Sequence, residues 1–153
     1  MTIAIRAAVP ADRAFIETLG KRTVMSSVSA RRHPQPESVL ANYERLLEIV
    51  DTRAHVALVG ELAGERAGFI LVVDSMPDEV TGDDQAFVAY MAVERAARGK
   101  GVGRALLAAA EDEARKRGVP YMALMVTEEN AAARSLYERS GYATERRLMC
   151  KTL

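Results

Sequence analysis

The first third of the chain changes from the apolar spacing of a strand to that of a helix. Isoleucines at alternate positions predict a strand over 2–8, and apolar residues on one helical face predict a helix over 10–19. Gly20 is expected to terminate that helix. Residues 21–35 show no clear period, and we interpret them as a loop or a frayed helix end.

The middle of the chain predicts one helix and then three strands. Pro36 suits the first turn of a helix, which is predicted to end near Asp51. Two apolar runs then suit an antiparallel hairpin that turns near Ala63-Gly64, and a polar stretch over 74–84 is expected to form a loop. The predicted strands cover 55–59, 67–73 and 86–93.

The last third predicts two more helices and two more strands. Gly118 and Pro120 are placed to end the first helix, and Asn130 and Gly141 suit the N-cap and the C-terminal boundary of the second. The first of the two strands is nearly continuous in apolar residues, which indicates burial on both faces. The helices are predicted over 102–117 and 131–140, and the strands over 121–126 and 142–153.

These elements follow one another as β-α-α-β-β-β-α-β-α-β, with no repeat or linker between them. We therefore expect one α/β domain over residues 1–153. Positively and negatively charged side chains number 21 each, so the formal net charge is zero. This balance gives no support for binding to nucleic acid or to an anionic membrane through bulk charge.

Cysteine usage and apolar runs bear on the compartment of the protein. Cys150 is the one cysteine of the chain, which excludes an intramolecular disulfide. The first residues lack a basic region followed by a long apolar run, and no stretch approaches the ~20 apolar residues that span a bilayer. We expect a cytoplasmic protein.

The stretch Arg98-Gly99-Lys100-Gly101-Val102-Gly103-Arg104 lies between an apolar strand and a helix. Its glycines let the backbone approach a ligand closely because no Cβ intervenes. The start of the following helix offers unpaired N–H groups and a partial positive charge, and three cationic side chains lie in the same turn. Such a turn suits a pyrophosphate. The spacing matches neither a Walker loop nor the dinucleotide-binding fingerprint.

A second motif follows the next predicted strand and reads Asn130-Ala-Ala-Ala-Arg-Ser-Leu-Tyr137-Glu-Arg-Ser-Gly141-Tyr142. Together the two stretches closely resemble the GNAT superfamily of acyl-CoA N-acyltransferases. The first is similar to the family's Arg/Gln-x-x-Gly-x-Gly/Ala coenzyme A loop. The second is similar to its Asn-x-x-Ala-x-x-Leu-Tyr-x-x-x-Gly-Phe/Tyr signature. The resemblance covers residues 54 to 150 in detail and implies the GNAT fold, an open mixed sheet with helices on both faces.

The resemblance implies acetyl-CoA as the cosubstrate, without a metal. Backbone N–H groups of the glycine loop would hold the pyrophosphate. The main chain of the preceding strand would pair with the pantetheine arm, in a slot where that strand splays from the next one. The implied cofactor-binding residues are Met91, Val93, Arg98, Gly99, Lys100, Gly101, Val102, Gly103, Arg104, Asn130 and Tyr137.

Tyr137 and Asn130 each have two interpretations. In the family the tyrosine at this motif position points at the coenzyme sulfur, which makes Tyr137 the candidate catalytic acid for the departing thiolate. Without the motif it would be interpreted as a core residue, because it shares a helix face with Ala133 and Leu136. Asn130 would cap its helix, bind the pantetheine, or do both through different atoms.

The sequence does not identify the general base. Many family members place a glutamate in the strand before the glycine loop, but residues 86–93 contain no carboxylate. A flanking carboxylate acting through water is one alternative, and a merely solvated surface charge is the other for each of them. The candidates are Asp83, Asp84, Glu94, Glu128 and Glu129, with Tyr90 as a further pocket residue.

Other reactive side chains carry weaker signals. His33 and His55 are far apart and lack partners at ligand spacing, so no metal site is predicted. Cys150 has no adjacent histidine that would indicate a nucleophile. Arg31-Arg32-His33 lies in the segment that covers the acceptor side in this fold, where it would attract an anionic acceptor or would be simply solvated.

The sequence therefore predicts an N-acetyltransferase in which a primary amine attacks the thioester of acetyl-CoA directly. The alternative is a non-catalytic acyl-CoA-binding or sensing domain, which the missing strand carboxylate favours and the presence of Tyr137 opposes. A nucleic-acid-binding protein is a third interpretation, which the zero net charge and the few aromatic residues oppose. The acceptor is expected to be a small-molecule or peptide amine, and the fold is compatible with a homodimer.

Overall fold

The computed structural model describes residues 1–153 and contains one mixed five-stranded sheet in which the strands lie in chain order. The first four strands are antiparallel, and the fifth is parallel to the fourth. The mixed α/β class that the sequence predicts is confirmed. The strands are β1 (Ile3–Ala7), β2 (His55–Leu62), β3 (Glu65–Val73), β4 (Ala86–Val93) and β5 (Met122–Ala123). The helices are α1 (Arg13–Thr23), α2 (Pro36–Asp51), α3 (Val102–Lys116) and α4 (Ala131–Arg139).

Helices cover both faces of the sheet and make two apolar clusters. On one face, Leu106 and Leu107 of α3 pack against Ile70 and Val88. On the other, α1 and α2 pack against the opposite side chains of the same strands, through the residues Leu19, Tyr43, Leu47, Phe69 and Leu71. Full burial of each such side chain stabilises the fold by about 1.5–3 kcal/mol relative to exposure. None of the helices is both long and apolar enough to cross a membrane.

The first helix does not end at Gly20, so that prediction is wrong. Pro10–Asp12 forms a short 3-10 turn, and α1 continues to Thr23. Gly20 lies inside the helix because the ring of Tyr43 occupies the space that a side chain would need. A Cβ at this position would lie 1.9 Å from Cζ of Tyr43. Close packing against α2 therefore explains the glycine at position 20, and termination of the helix does not.

The bounds of α2 and the position of the β2–β3 hairpin agree with those predicted from the sequence. In the turn between β2 and β3, Ala63 and Gly64 have φ values of 52° and 83°, as a two-residue type I′ hairpin turn requires. Both strands are longer than their apolar runs indicated. The segment between α1 and α2, which we call the α1–α2 connection (residues 24–35), contains two 3-10 turns, Val24–Ser27 and Ala30–Arg32.

The two strands predicted near the C-terminus are not formed as expected. Over 121–126 only Met122–Ala123 pairs with β4, and Met125 is 85% exposed, so this run is not buried on both faces. Residues 142–153 form no strand. At the start of this stretch the hydroxyl of Tyr142 donates a hydrogen bond to Glu111 of α3 (2.9 Å). The observed order therefore lacks the final strand.

A buried carboxylate joins the N-terminal strand to the first helix and to β3. Asp12 has no solvent exposure, and its oxygens accept hydrogen bonds from Arg6 Nη1 (2.7 Å), Arg66 Nε (2.7 Å) and the N–H of Val9 (2.8 Å). The hydrogen bond from Arg6 is the largest cause that holds the pKa of Asp12 well below its usual range, and the bonds from Val9 and Arg66 act in the same direction. Buried charges need such partners because desolvation is costly.

We expect the substitution Asp12→Asn to lower the free energy of unfolding by about 3 kcal/mol at pH 7, because two guanidinium groups then lose their buried counter-charge. Urea denaturation measures the difference. The same substitution at Asp51, an exposed partner of Arg13, is the control and should cost less than about 1 kcal/mol.

The difference between wild type and Asp12→Asn also depends on pH. Because the folded-state pKa of Asp12 is lowered, its stabilisation is fully present above the unfolded pKa of about 3.9 and is lost as the pH falls further. The stability difference between the two proteins should therefore shrink progressively as the pH falls below about 4. Equal stability at pH 7 would show that the cluster contributes nothing.

Candidate functional site

The glycine loop connects the end of β4 to the start of α3. Gly99 and Gly101 have φ values of 75° and 93°, in the left-handed region that other residues rarely adopt. Gly101 is the N-cap of α3, so the turn and the helix start are continuous. At Gly99 and Gly101 the left-handed backbone therefore favours glycine over any other residue.

The main-chain N–H groups from Gly99 to Arg104 donate no hydrogen bond within the protein. The side chains of Lys100 and Arg104 are exposed and form no ion pair, while Arg98 Nε donates to the carbonyl of Val93 (3.2 Å). Unpaired N–H groups at a helix start, with the positive end of the helix dipole, form an anion-binding site. The arrangement suits a phosphate or diphosphate.

β4 separates from β5 after two residue pairs. Ala86 and Phe87 pair with Met122 and Ala123, and from Val88 onward no strand lies on that side of β4. On its other side the pairing with β3 is interrupted by one extra residue, since Leu71 pairs with Tyr90 and Val72 with Val88. Ala89 is therefore a bulge residue, and bulges bend the strand that carries them.

The main chain of Met91 and Val93 faces the open side of β4. The N–H of Glu94 donates to the carbonyl of Ala67 on β3 (2.7 Å). Hydrogen-bonded and non-bonded pairs alternate in antiparallel strands, so positions 93 and 91 direct their polar groups away from β3. The bond from Arg98 to the carbonyl of Val93 agrees with this direction.

The glycine loop, the open edge and α4 meet at Gly103. A Cβ placed there would lie 3.3 Å from Cδ2 of Leu136, 3.6 Å from Cγ2 of Val93 and 3.9 Å from Cε of Met91. The third glycine thus lets α3 approach both β4 and α4. A larger side chain at 103 would disturb this packing as well as any ligand.

Tyr137 lies on α4, half-buried, with its ring 6.1 Å from the ring of Tyr142. Burial is the main cause that raises the pKa of Tyr137, and the nearby Tyr90 adds to the shift. The hydroxyl therefore stays protonated at neutral pH and can donate a hydrogen bond. On α4, Asn130 Oδ1 accepts from the N–H of Ala133 (3.2 Å), so the capping role is present and its amide nitrogen is not used by the protein.

The candidate bases are engaged with other groups or lie in solvent. Glu94 accepts from Arg22 through both oxygens (2.8 and 3.0 Å), and this bond lowers its pKa. Asp84 and Asp83 accept from Ser75 and Thr81, in the loop between β3 and β4. Glu128 is largely exposed and pairs with Arg134 of the same segment. None of these carboxylates is hydrogen-bonded to Tyr137.

The α1–α2 connection is anchored to the segment that links β5 to α4. Glu129 accepts from the hydroxyl of Ser29 (2.8 Å) and from the N–H of Ala30 (3.2 Å), and Thr127 donates to the carbonyl of Ser27. The space next to β4 where β5 has separated from it is called here the gap beside β4. These contacts close this gap on the α1–α2 face of the sheet. Sequence spacing did not reveal them, because the partners are 100 residues apart.

Three further predicted positions lie outside this arrangement. His33 is on the α1–α2 connection with a φ of 47°, and His55 begins β2, so the histidines are far apart in the fold. The carbonyl of the exposed Cys150 accepts from Arg31 (3.4 Å). A cavity of about 350 Å³ lies near the start of α1 and the end of α2; His55 is one of its lining residues, and no residue of the glycine loop or of α4 lines it.

Comparison with known proteins gives the family. The model of the acetyltransferase (GNAT) family matches residues 23–142, which is most of the chain. The chain belongs to this family. A putative acetyl transferase from Pyrococcus furiosus has a similar structure, with a TM-score of 0.82 and 27% identity over 99% of this chain and 100% of that one.

Two further relatives are more limited in what they show. The mycothiol acetyltransferase of Beutenbergia cavernae is 45% identical over 67 residues, which cover 44% of this GNAT chain and 21% of that protein. The match thus spans about a fifth of the relative's length. An aminoglycoside N-acetyltransferase, AAC(6')-Iy, in complex with CoA has a TM-score of 0.70 at 19% identity over 98% of both chains, which shows a shared fold.

We expect Glu129→Ala to loosen the α1–α2 connection, since it removes two hydrogen bonds worth about 1 kcal/mol together at an exposed site. Amide hydrogen exchange over residues 24–33 should become about fivefold faster. Glu128→Ala is the matched control, because Glu128 does not contact the connection. Equal exchange in both variants would mean that other contacts hold this segment.

Proposed function

We propose that this GNAT protein is an acetyl-CoA-dependent N-acetyltransferase that acts on a primary amine. The observation that carries the proposal is the run of unpaired N–H groups from Gly99 to Arg104, beside a strand edge that faces no other strand. The first is suited to the diphosphate of coenzyme A, and the second to the amide groups of its pantetheine arm. The name of the aminoglycoside N-acetyltransferase with CoA supports the same chemistry.

In the proposed binding mode the main chain of Met91 and Val93 pairs with the pantetheine. Lys100 and Arg104 flank the phosphates, and Arg98 lies beside them. An N–H group on the open side of β4 also polarises the thioester carbonyl and stabilises the negative charge that develops on its oxygen. Asn130, whose amide nitrogen has no partner in the protein, donates to the same arm.

In the proposed reaction the amine nitrogen attacks the thioester carbon, a C–N bond forms, and the C–S bond breaks. The sulfur takes its proton from Tyr137, the proton that the amine loses passes to water, and water returns a proton to the Tyr137 oxygen. A phenol with a raised pKa remains protonated until charge develops on the sulfur. The same shift makes complete proton transfer to a thiolate uphill, so the hydrogen bond itself supplies part of the stabilisation.

Water is the proposed acceptor of the amine's proton. The carboxylates near the site accept hydrogen bonds from Arg22, Ser29, Ser75 and Thr81, or are exposed, as Glu128 is. The absence of a carboxylate from Ala86–Val93 also favours a second candidate function, an acyl-CoA-binding domain that does not catalyse transfer. Such a domain would bind acetyl-CoA and leave the thioester intact when amines are added.

We expect the double substitution Lys100→Glu/Arg104→Glu to weaken acetyl-CoA binding at least tenfold, or about 1.4 kcal/mol. Two carboxylates would then repel the phosphates at the start of α3. Calorimetry measures the affinity, and the effect should shrink at high salt. Arg115→Glu/Lys116→Glu, at the other end of the same exposed helix face, is the control. Equal affinity of both double variants would exclude the loop as the phosphate site.

The enzymatic proposal is tested by release of coenzyme A thiol from acetyl-CoA on addition of simple primary amines. Tyr137→Phe keeps the ring and removes the hydroxyl, so kcat should fall ~10²–10⁴-fold while acetyl-CoA affinity stays unchanged. Tyr142→Phe is the matched control, since it removes the hydroxyl of the neighbouring ring and with it the hydrogen bond to Glu111. No thiol release with any amine, despite acetyl-CoA binding, would favour the non-catalytic alternative.

A further inference from the structure

The hydroxyl of Tyr90 is held by α1 through a hydrogen bond whose direction follows from its neighbours. Tyr90 Oη lies 2.8 Å from Thr23 Oγ1, and Thr23 Oγ1 lies 2.9 Å from the carbonyl oxygen of Leu19 and 3.2 Å from that of Gly20. Carbonyl oxygens only accept, and a threonine hydroxyl has one proton. Thr23 therefore donates to α1, and Tyr90 donates to Thr23.

This direction determines what Tyr90 can offer to a ligand. Its single proton is used in the bond to Thr23, so its oxygen lone pairs remain available only to a donor. The ring cannot turn freely, because Tyr43 and Phe69 pack against it at centroid distances of 5.1 and 6.0 Å. Tyr43 cannot take the same role, since its own hydroxyl donates to the carbonyl of Ile16 (2.9 Å) in a buried position.

Tyr90 also lies on the part of β4 that has no strand on its other edge. It directly follows the bulge residue Ala89 and precedes Met91, whose main chain faces the open side of β4. It packs on the α1–α2 face of the sheet, while Met91 contacts the α3 side near Gly103. Its neighbour Thr23 is the last residue of α1, where the α1–α2 connection begins.

We propose that Tyr90 binds the acceptor, with its phenolic oxygen accepting a hydrogen bond from an N–H of the primary amine while the nitrogen lone pair points at the thioester carbon. The inference rests on the N-acetyltransferase function proposed above. Tyr90 takes no proton in this role, because its oxygen is already bonded to hydrogen. It orients the amine, and the proton that nitrogen loses on C–N bond formation goes to water. Thr23 is a positioning residue that acts through Tyr90.

The test measures initial rates with the best amine of a panel made up of butylamine, spermidine, an alanine-terminated tripeptide and an aminoglycoside. Tyr90→Phe should raise KM for that amine about tenfold, as loss of one hydrogen bond predicts, and leave acetyl-CoA affinity and melting temperature close to wild type. Thr23→Val should raise the amine KM as well, because it frees the proton of Tyr90. Thr23→Ser keeps the hydroxyl and should restore the wild-type KM.

Each other outcome has a definite meaning. An unchanged amine KM in Tyr90→Phe, with an active wild type, overturns the role of Tyr90 and leaves the proposed function intact. Tyr90→Phe could instead lower the melting temperature by several degrees, or weaken acetyl-CoA binding by the same factor by which it lowers kcat/KM for the amine. Either result would show that Tyr90 only packs, and would also overturn its proposed role. If wild type binds acetyl-CoA and releases no thiol with any amine, the proposed function fails and this inference fails with it.

Discussion

The early separation of β4 from β5 is the constraint on which the site depends. Strands inside a protein normally satisfy their main-chain groups on both edges, since unpaired buried donors and acceptors cost free energy. Here Val88–Val93 has β3 on one edge and no strand on the other. The helices α3 and α4 and the α1–α2 connection close around this edge without pairing with it. An extended ligand with amide groups complements such an edge as an added strand would.

One extra residue in β4 interrupts the alternation of its side chains between the two faces of the sheet. Without a bulge, consecutive side chains alternate between faces. Because Ala89 is inserted opposite β3, it and Tyr90 both pack on the α1–α2 face, while Met91 and Val93 lie beside α3. The bulge therefore places two consecutive side chains on the α1–α2 face, and the alternation between faces resumes at Met91.

The features that the sequence predicted are those that depend on local spacing. Asn130 caps the helix that carries Tyr137, as its position directly before the predicted helix indicated. The glycine turn was also identified from its spacing, and the structure adds that Gly99 and Gly101 adopt left-handed backbone. The bonds from Arg22 to Glu94 and from Thr23 to Tyr90 join residues 72 and 67 positions apart, and nothing local indicates them. The apolar run at 121–126 was wrongly expected to be buried, because hydrophobicity alone does not show whether a pairing strand exists.

The packing of α1 links the acceptor side to the rest of the fold. Ile16, Gly20 and Thr23 lie on one face of this helix, at intervals of four and three residues. Ile16 accepts the hydroxyl of Tyr43, Gly20 makes room for its ring, and Thr23 accepts the hydroxyl of Tyr90. A single helix face therefore holds both aromatic rings. The glycine loop takes no part in this arrangement, although Arg22 on the same helix binds Glu94 at the end of β4, so α1 contacts both the proposed acceptor side and the strand that leads into the loop.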